Sequence, residues 1–360
     1  MKIIHCSDLH LDSRMQTNLD KEKARERKNE ILITFDNMVN YARENDVNII
    51  IIAGDLFDKK NITVKAKNKV KNAIISNPEI DFIYLKGNHD EAGFLDEDEE
   101  LPQNLKTFNS YSWTTYNYED LTISGIEFGN LENYEIYNSL ILEKNKTNIV
   151  VMHGQESETD IKDKTEIINI KSLKNKNIDY LALGHIHTYK QEKLDNRGVY
   201  CYSGCLEGRG FDECGEKGFI LLEFENNKIK TKFIPFASRT LYEVNVDLTD
   251  TSDNNEIEKR IIEKIKDIPK TSLVKLVLGG DVEIGEQRDV EYLTKKFESN
   301  FYYLKIIDKP HIKIDYMKYQ NDISLKGEFI RNVLKQKDLT EEEKSKIIST
   351  GIKALSGEDI

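Results

Sequence analysis

The sequence predicts a layered α/β domain, followed by a small α+β module and a closing pair of helices. Three observations carry this reading. Short apolar runs recur through the first half with helix-patterned segments between them, a compact alternation of strands and helices begins at Leu241, and two amphipathic segments end the chain.

The first run, Lys2 to Cys6, is rich in isoleucine and short enough for a buried strand. Val47 to Ala53, Ile80 to Leu85, Asn148 to Met152 and Ile178 to Leu183 read the same way. Asn29 to Asn45 places Ile31, Phe35, Met38, Val39 and Ala42 at three- and four-residue steps, which predicts a helix with one apolar stripe. Further strands are expected at Gly198 to Tyr202, at Gly218 to Glu225 and, after the turn-forming Asn226-Asn227, at Lys228 to Phe236. The main domain is therefore expected to span residues 1–240, closing near Arg239.

Strands at Leu241 to Leu248, Ser272 to Leu278 and Tyr302 to Ile307 then alternate with helices at Glu256 to Ile268 and Arg288 to Glu298. This gives an α+β module over 241–317, about the smallest self-supporting size. In the tail, 318–360, Leu325, Phe329, Ile330, Val333 and Leu334 share one helix face. Thr340 and Glu343 form a capping box that opens a second helix carrying Ile347, Ile348, Ile352 and Leu355. The pair either folds back on its own module or serves as a docking arm for a partner.

The chain has 360 residues, of which 52 are basic and 64 acidic, for a formal charge of −12. That balance argues against a protein that grips nucleic acid over a broad basic face, so a phosphate-bearing partner has to be attracted locally. No apolar run approaches the roughly 20 residues of a membrane span, and the first residues lack the pattern of a secretion signal, so a soluble cytoplasmic protein is expected. The four cysteines, Cys6, Cys201, Cys205 and Cys214, are too sparse for a disulfide scaffold. The last three lie close in sequence but have no histidine nearby, so reduced thiols are expected rather than a zinc site.

Each of the five first-half strands ends in potential metal ligands: Asp8-Leu9-His10, Gly54-Asp55, Gly87-Asn88-His89-Asp90, His153-Gly154 and Gly184-His185-Ile186-His187. A single such histidine is more often packed or exposed than a ligand, but repetition at every strand end is not chance. The carboxyl ends of strands in an open α/β sheet meet at one edge, so these groups can converge. Imidazoles, carboxylates and one amide without thiolate suit Mn²⁺, Fe²⁺ or Zn²⁺. Seven candidate groups are too many for one ion and suggest two ions sharing a carboxylate. Such a pair, about 3.5–4 Å apart, activates water and clamps a phosphoryl group for in-line hydrolysis.

The series D-x-H, G-D-x-x-D, G-N-H-D, H-G and G-H-x-H resembles the calcineurin-like metallophosphoesterase superfamily over roughly the first 240 residues. The resemblance implies a four-layer α/β/β/α sandwich and two divalent ions, Mn²⁺ foremost, with Fe²⁺, Zn²⁺ or a mixed pair as alternatives. It implies that Asp8, His10, Asp55 and His187 bind one ion and that Asp55, Asn88, His153 and His185 bind the other, with Asp55 as the bridge. It also makes His89 the catalytic group that assists the leaving oxygen, with Asp58 orienting it, an arrangement that keeps a proton at hand.

More narrowly, His5 to Asp12, Ala53 to Asp58 and Tyr202-Ser203-Gly204 resemble SbcD-type DNA-repair nucleases, while Gly204 to Gly218 is similar to a bacterial YhaO-like branch. Asp58 stands where archaeal and eukaryotic relatives carry histidine, and Ser203 where proline is usual. The resemblance implies a metal-dependent hydrolase acting as exonuclease and endonuclease in DNA repair and recombination. In that family the α+β module caps the nuclease domain and the helical tail docks on an SbcC-type coiled-coil ATPase. The expected partners are thus DNA, this ATPase and a second copy of the chain, without a membrane. A stand-alone phosphodiesterase or phosphatase acting on nucleotides or phosphoproteins is the first alternative, and a non-catalytic scaffold for an ATPase is the second.

Lys59, Lys60, Lys65, Lys67, Lys69 and Lys71 form the best local basic patch, directly after the Gly54 to Asp58 motif. Lys59, Lys60, Lys65, Lys69 and Arg209 are the expected DNA contacts, against the plainer reading of a solvated lysine-rich helix. Asp90, Glu91 and Asp96 to Glu100 read as an acidic loop that either is simply solvated or screens the cleft. Trp113 and the tyrosines of Tyr111 to Tyr118 could stack on unpaired bases, although packing beneath a loop is the favoured role.

Overall fold

The computed structural model describes the chain except residues 14, 16–18, 59–61, 91–100, 128–133, 159–165, 252, 284–287, 314–320 and 356–360. The five apolar runs become strands in two six-stranded sheets. The first sheet runs in the order β14 (Lys228–Pro235), β13 (Gly218–Glu225), β1 (Lys2–Cys6), β2 (Ile49–Ala53), β3 (Asp81–Leu85) and β4 (Leu105–Thr107). The second runs β11 (Lys190–Lys193), β12 (Val199–Tyr202), β10 (Tyr180–Gly184), β7 (Thr147–His153), β6 (Leu121–Gly125) and β5 (Thr114–Tyr118). A short ribbon of β8 (Gln155–Ser157) and β9 (Ile167–Asn169) follows His153.

Ile3, Ile49, Ile51 and Ile83 of the first sheet share one core with Ile123, Ile149, Val151 and Tyr180 of the second, so the sheets pack face to face. The outer face of the first sheet is covered by α1 (Lys21–Glu44) and α2 (Val64–Ile75), whose Phe35, Met38, Val70 and Ile74 join its core. The outer face of the second is covered by α3 (Tyr134–Ser139) and α4 (Ile170–Leu173). Four layers, helix, sheet, sheet and helix, result, because the central strands β1, β2, β3, β7 and β10 carry large apolar residues on both faces. β1, β2 and β3 are parallel, as are β7 and β10, with Cys6 opposite Ile52 and Gly184 opposite His153. This register brings the motif-bearing strand ends level.

α1 begins at Lys21 rather than Asn29. Asp20 caps it by accepting from the backbone of Glu22 at 3.0 Å and Lys23 at 2.9 Å. The added turns anchor through Arg27, only 1 % exposed, whose guanidinium donates to Glu207 at 3.0 Å, Gly208 O at 3.0 Å and Glu30 at 2.5 Å. A buried ion pair leaves no apolar periodicity to read. Arg27→Met strands Glu207 in the interior and is expected to cost about 3–5 kcal/mol. The check is a lower urea midpoint at unchanged slope, with partial recovery when Glu207→Leu is added.

The aromatic stretch is a sheet edge. β5 pairs with β6, Trp113 donates to Ile136 O at 2.8 Å, and the Tyr118 hydroxyl donates to Asp81 at 2.6 Å. Trp113 and Tyr118 are therefore tethered rather than held out for bases. β6 has only two large apolar residues, Leu121 and Ile123, which is why its pattern is weak even though the strand is buried throughout. All four cysteines are free.

By internal packing the chain divides into Met1–Thr240 and Leu241–Ile360. In the second unit a parallel sheet of β15 (Leu241–Asp247), β16 (Leu273–Gly279) and β18 (Tyr303–Asp308) packs with α5 (Asn254–Ile265) and α6 (Val290–Phe297) around Ile261, Leu276, Leu293 and Phe297. A ribbon of β17 (Asp281–Glu283) and β19 (His311–Lys313) accompanies it. α7 (Leu325–Leu334) and α8 (Glu341–Leu355) close on each other through Ile330, Val333, Ile348 and Ile352. The capping box forms: Thr340 N donates to the Glu343 carboxylate at 2.8 Å, and Glu343 N to Thr340 Oγ1 at 3.3 Å. The expected module boundary at residue 317 lies outside the described residues. Among those described, no helix is long and apolar enough to cross a membrane.

Candidate metal centre

The strand ends turn through unusual backbone. Asp8, His10, Asp55 and His185 have φ of 52°, 42°, 53° and 103°, a left-handed region that costs side-chain-bearing residues of order 1 kcal/mol or more each. Backbone hydrogen bonds from Asp8 to Gly54 at 3.0 Å, from His10 to Asp55 at 2.9 Å and from Leu11 to Leu56 at 2.9 Å hold the first two loops together. Gly54, at φ +92°, lies against the His153 ring, and Gly87 lies against the Asp55 carboxylate, so neither position has room for a Cβ.

Asp90 completes this frame and corrects the reading that placed it in the acidic loop. Its carboxylate accepts from the backbone of Leu56 at 3.1 Å, Phe57 at 2.9 Å and Gly87 at 3.0 Å, and so ties the Asp55 turn to the Asn88 turn. Removal from solvent pushes the Asp90 carboxyl up to about 6, with the Gly87 N–H pulling the other way.

The expected ligand side chains converge on these loops. Asp8, His10 and His187 present ligand atoms within 4.8 Å of one another, as do Asp8, Asp55 and His153. Nε2 of His10 lies 3.2 Å from Nε2 of His187 and 3.8 Å from Asp55, while His187 Nε2 is 3.8 Å from Asp8. Asp55 is also 3.4 Å from His153 Nε2. Asn88 Oδ1 is 2.9 Å from His153 and 3.4 Å from His185. His185 is the outlying member: its ring reaches Asn88 and lies 3.7 Å from Glu166, while its backbone N–H donates to Asp8 at 2.9 Å.

The donor chemistry fits a pair of divalent cations. His153 Nδ1 donates to Ala53 O at 2.9 Å, which directs Nε2 toward Asp55 and Asn88. Burial, then the Arg209 charge, hold His10 well below the usual imidazole range, so it keeps a lone pair. Burial works against ionising Asp55, but the hydrogen bond and charge of His153 outweigh it and hold the carboxyl below its ordinary range. At His153 burial pulls the imidazole down, but the hydrogen bond and charge of Asp55 outweigh it and carry it up to about 9. An anionic carboxylate among converging nitrogens and an amide oxygen matches the demand of a hard or borderline cation.

His89 stands beside this cluster, 39 % exposed, with Nδ1 3.0 Å from Asp58. His10, Asp58 and His89 form a third group with ligand atoms within 4.8 Å. Arg209, expected at a DNA-contacting surface, is instead buried, with its guanidinium against Glu213. Lys65 and Lys69 lie on α2 and reach α1, Lys65 donating to Asn29 at 2.8 Å and Lys69 pairing with Asp36. Lys59, Lys60 and Asp96 to Glu100 lie outside the described residues. Glu213 and Glu166 were not legible as site residues. Asp90 belongs to the Gly87 to Asp90 motif, but its role depends on backbone N–H groups that no side-chain pattern reveals.

A family model described as calcineurin-like phosphoesterase matches residues 1–189. The chain is 26 % identical over 298 residues to the metallophosphoesterase YhaO of Bacillus subtilis, covering 78 % of this chain and 72 % of that one. It is 26 % identical over 282 residues to the DNA double-strand break repair protein Mre11 of Saccharolobus solfataricus, covering 73 % and 69 %. To the SbcD subunit of the nuclease SbcCD of Staphylococcus saprophyticus it is 27 % identical over 286 residues, covering 68 % and 71 %.

Proposed function

This chain belongs to the calcineurin-like phosphoesterase family, and we propose that it is a two-metal DNA nuclease, cleaving phosphodiester bonds as exonuclease and endonuclease in DNA repair and recombination. The observation that carries this reading is the convergence of Asp8, Asp55, His153, His10 and His187 beside the His89–Asp58 pair. The nuclease assignment draws on the relatives named for break repair and for a nuclease subunit. Their alignments run over 282 and 286 residues, against the 189 residues of the family match.

Asp8, His10, Asp55 and His187 would hold one ion, and Asp55, Asn88, His153 and His185 the other. When bound, two such ions supply Lewis acidity at the phosphoryl oxygens and an activated water. The chain's own groups do the rest. Asp55 presents Oδ2 between the two sides, 3.8 Å from His10 and 3.4 Å from His153. Asp58 holds Nδ1 of His89 at 3.0 Å, and with both ring nitrogens protonated Nε2 is the one left to hand a proton to the departing sugar oxygen. Lys65 and Lys69 on α2 are the described candidates for phosphate contacts, and the helical pair α7 and α8 is the segment proposed to dock a coiled-coil ATPase. Mn²⁺ is the first metal to test, in a cytoplasmic protein with reduced thiols.

The purified full chain with Mn²⁺ is expected to degrade end-labelled linear DNA, to stop on chelation and to resume on Mn²⁺ addition, with Fe²⁺ and Zn²⁺ as comparisons. Turnover of nucleotides or phosphopeptides without DNA cleavage would replace the nuclease by a phosphatase, and no turnover at all would leave a scaffold. Co-purification with a coiled-coil ATPase that survives removal of residues 318–360 would refute the docking role of the tail.

A further inference from the structure

The segment after Ser203 wraps around His187. Lys217 Nζ donates to the His187 carbonyl at 2.8 Å, and the Cys205 N–H reaches the same oxygen at 3.3 Å. Glu213 places Oε1 2.6 Å from His187 Nδ1. Arg209 grips that carboxylate from Nη2 to Oε1 at 2.8 Å, from Nε to Oε1 at 3.2 Å and Oε2 at 3.5 Å, and from its backbone N–H to Oε2 at 2.7 Å. Its other guanidinium nitrogen lies 4.0 Å from Asp58, the residue that holds His89. Glu213 and Arg209 are 4 % and 7 % exposed.

We propose that Glu213 and Arg209 are positioning residues of the site, Glu213 setting the tautomer of His187 and Arg209 tying that pair to Asp58 and His89. The proposal rests on the nuclease reading for the roles of His187 and His89. A carboxylate brings no proton to a hydrogen bond, so the 2.6 Å contact makes Nδ1 the donor and leaves the lone pair on Nε2. That nitrogen faces His10 at 3.2 Å and Asp8 at 3.8 Å. Arg209 Nη2 also approaches Nδ1, at 3.3 Å, but a protonated Nδ1 cannot accept, and the guanidinium spends its donors on Glu213. Between Glu213 and Asp58, its positive charge keeps two neighbouring carboxylates from repelling each other. Without Glu213 both tautomers of His187 become accessible, and the Nε2–H form has no lone pair to offer. Loss of such a partner typically weakens metal binding roughly 10–100-fold.

The test is nitrogen-15 NMR of the histidine rings in the metal-free full chain, at a pH alkaline enough to keep the imidazoles neutral, together with Mn²⁺ titration. Wild-type His187 is expected in the Nδ1–H form alone. Glu213→Leu is expected to introduce the Nε2–H form and to weaken Mn²⁺ binding by about 10–100-fold. Should the single variant not fold, Arg209→Met combined with Glu213→Leu removes both buried charges and is expected to release the tautomer equally. Arg209→Lys keeps the charge but loses the fork, and is expected to shift the His89 signals and lower kcat at constant KM. An Nε2–H form in the wild type, or a folded variant with unchanged tautomer and Mn²⁺ affinity, would overturn the Glu213 role. Unmoved His89 signals in Arg209→Lys would overturn the Arg209 role. A wild type that binds Mn²⁺ and shows the Glu213-dependent tautomer but cleaves no DNA would sink the nuclease reading alone.

Discussion

Asp55→Asn is expected to lower metal-dependent DNA cleavage by about a thousandfold or more, with metal content falling below two ions per chain. Asp55 is the carboxylate on which both sides of the site depend: Oδ2 lies 3.4 Å from His153 and 3.8 Å from His10, and Oδ1 accepts the His89 backbone N–H at 2.9 Å. Asparagine has nearly the same shape, so the strand-end turn and its backbone hydrogen bonds survive. What is lost is the negative charge and one acceptor oxygen, replaced by N–H donors that cannot ligate a cation. Metal ions contribute several kcal/mol of charge stabilisation in phosphoryl transfer, and each 1.36 kcal/mol is a tenfold change in rate, hence the expected size. Elemental analysis beside cleavage of labelled DNA checks both halves. A variant that keeps two ions and near-normal cleavage would remove Asp55 from the bridge.

His89→Ala is expected to lower DNA cleavage by about 10²–10⁴-fold while leaving metal content unchanged. The side chain contacts Asp58 and lies near the predicted ligands without being one of the seven, so its loss removes proton delivery and not metal binding. The defect should depend on the leaving group. An alkoxide from DNA needs a proton as it departs, whereas a nitrophenolate does not, so an aryl phosphodiester should be cleaved by the variant at close to the wild-type rate. Asp58→Asn should show the same pattern in milder form, since an amide oxygen can still accept from His89 Nδ1 but the negative charge opposite the ring is gone. Equal losses on both substrates, or loss of metal with His89, would assign this histidine another role.

The motif residues were legible because the constraint on them is chemical. A strand that ends in Asp-x-His or Gly-Asn-His-Asp shows its candidate ligands directly, and the apolar runs before them mark the strands. Arg27 was not legible as an anchor, because the ion pair that buries it lies with Glu207, far away in the chain. β6 was missed because Leu121 and Ile123 alternate with small polar residues that are buried all the same. Asp90 looked like the start of a solvated acidic run, and its neighbours in sequence hide that it accepts three backbone N–H groups from two loops.

Arg209 and Glu213 show the same limit at the site itself. Composition makes Arg209 a natural candidate for phosphate contact, yet it is enclosed with Glu213 against His187. By itself the sequence determined the alternation of strands and helices, the candidate ligand types and their positions at strand ends, because periodicity and residue chemistry are local properties. Only the tertiary structure decided which nitrogen of His187 faces the site, which carboxylate supports it and which charges are buried together. Those depend on atoms within about 3–4 Å, the range over which hydrogen bonds and close ion pairs act, and the chain brings such atoms together from positions far apart in sequence.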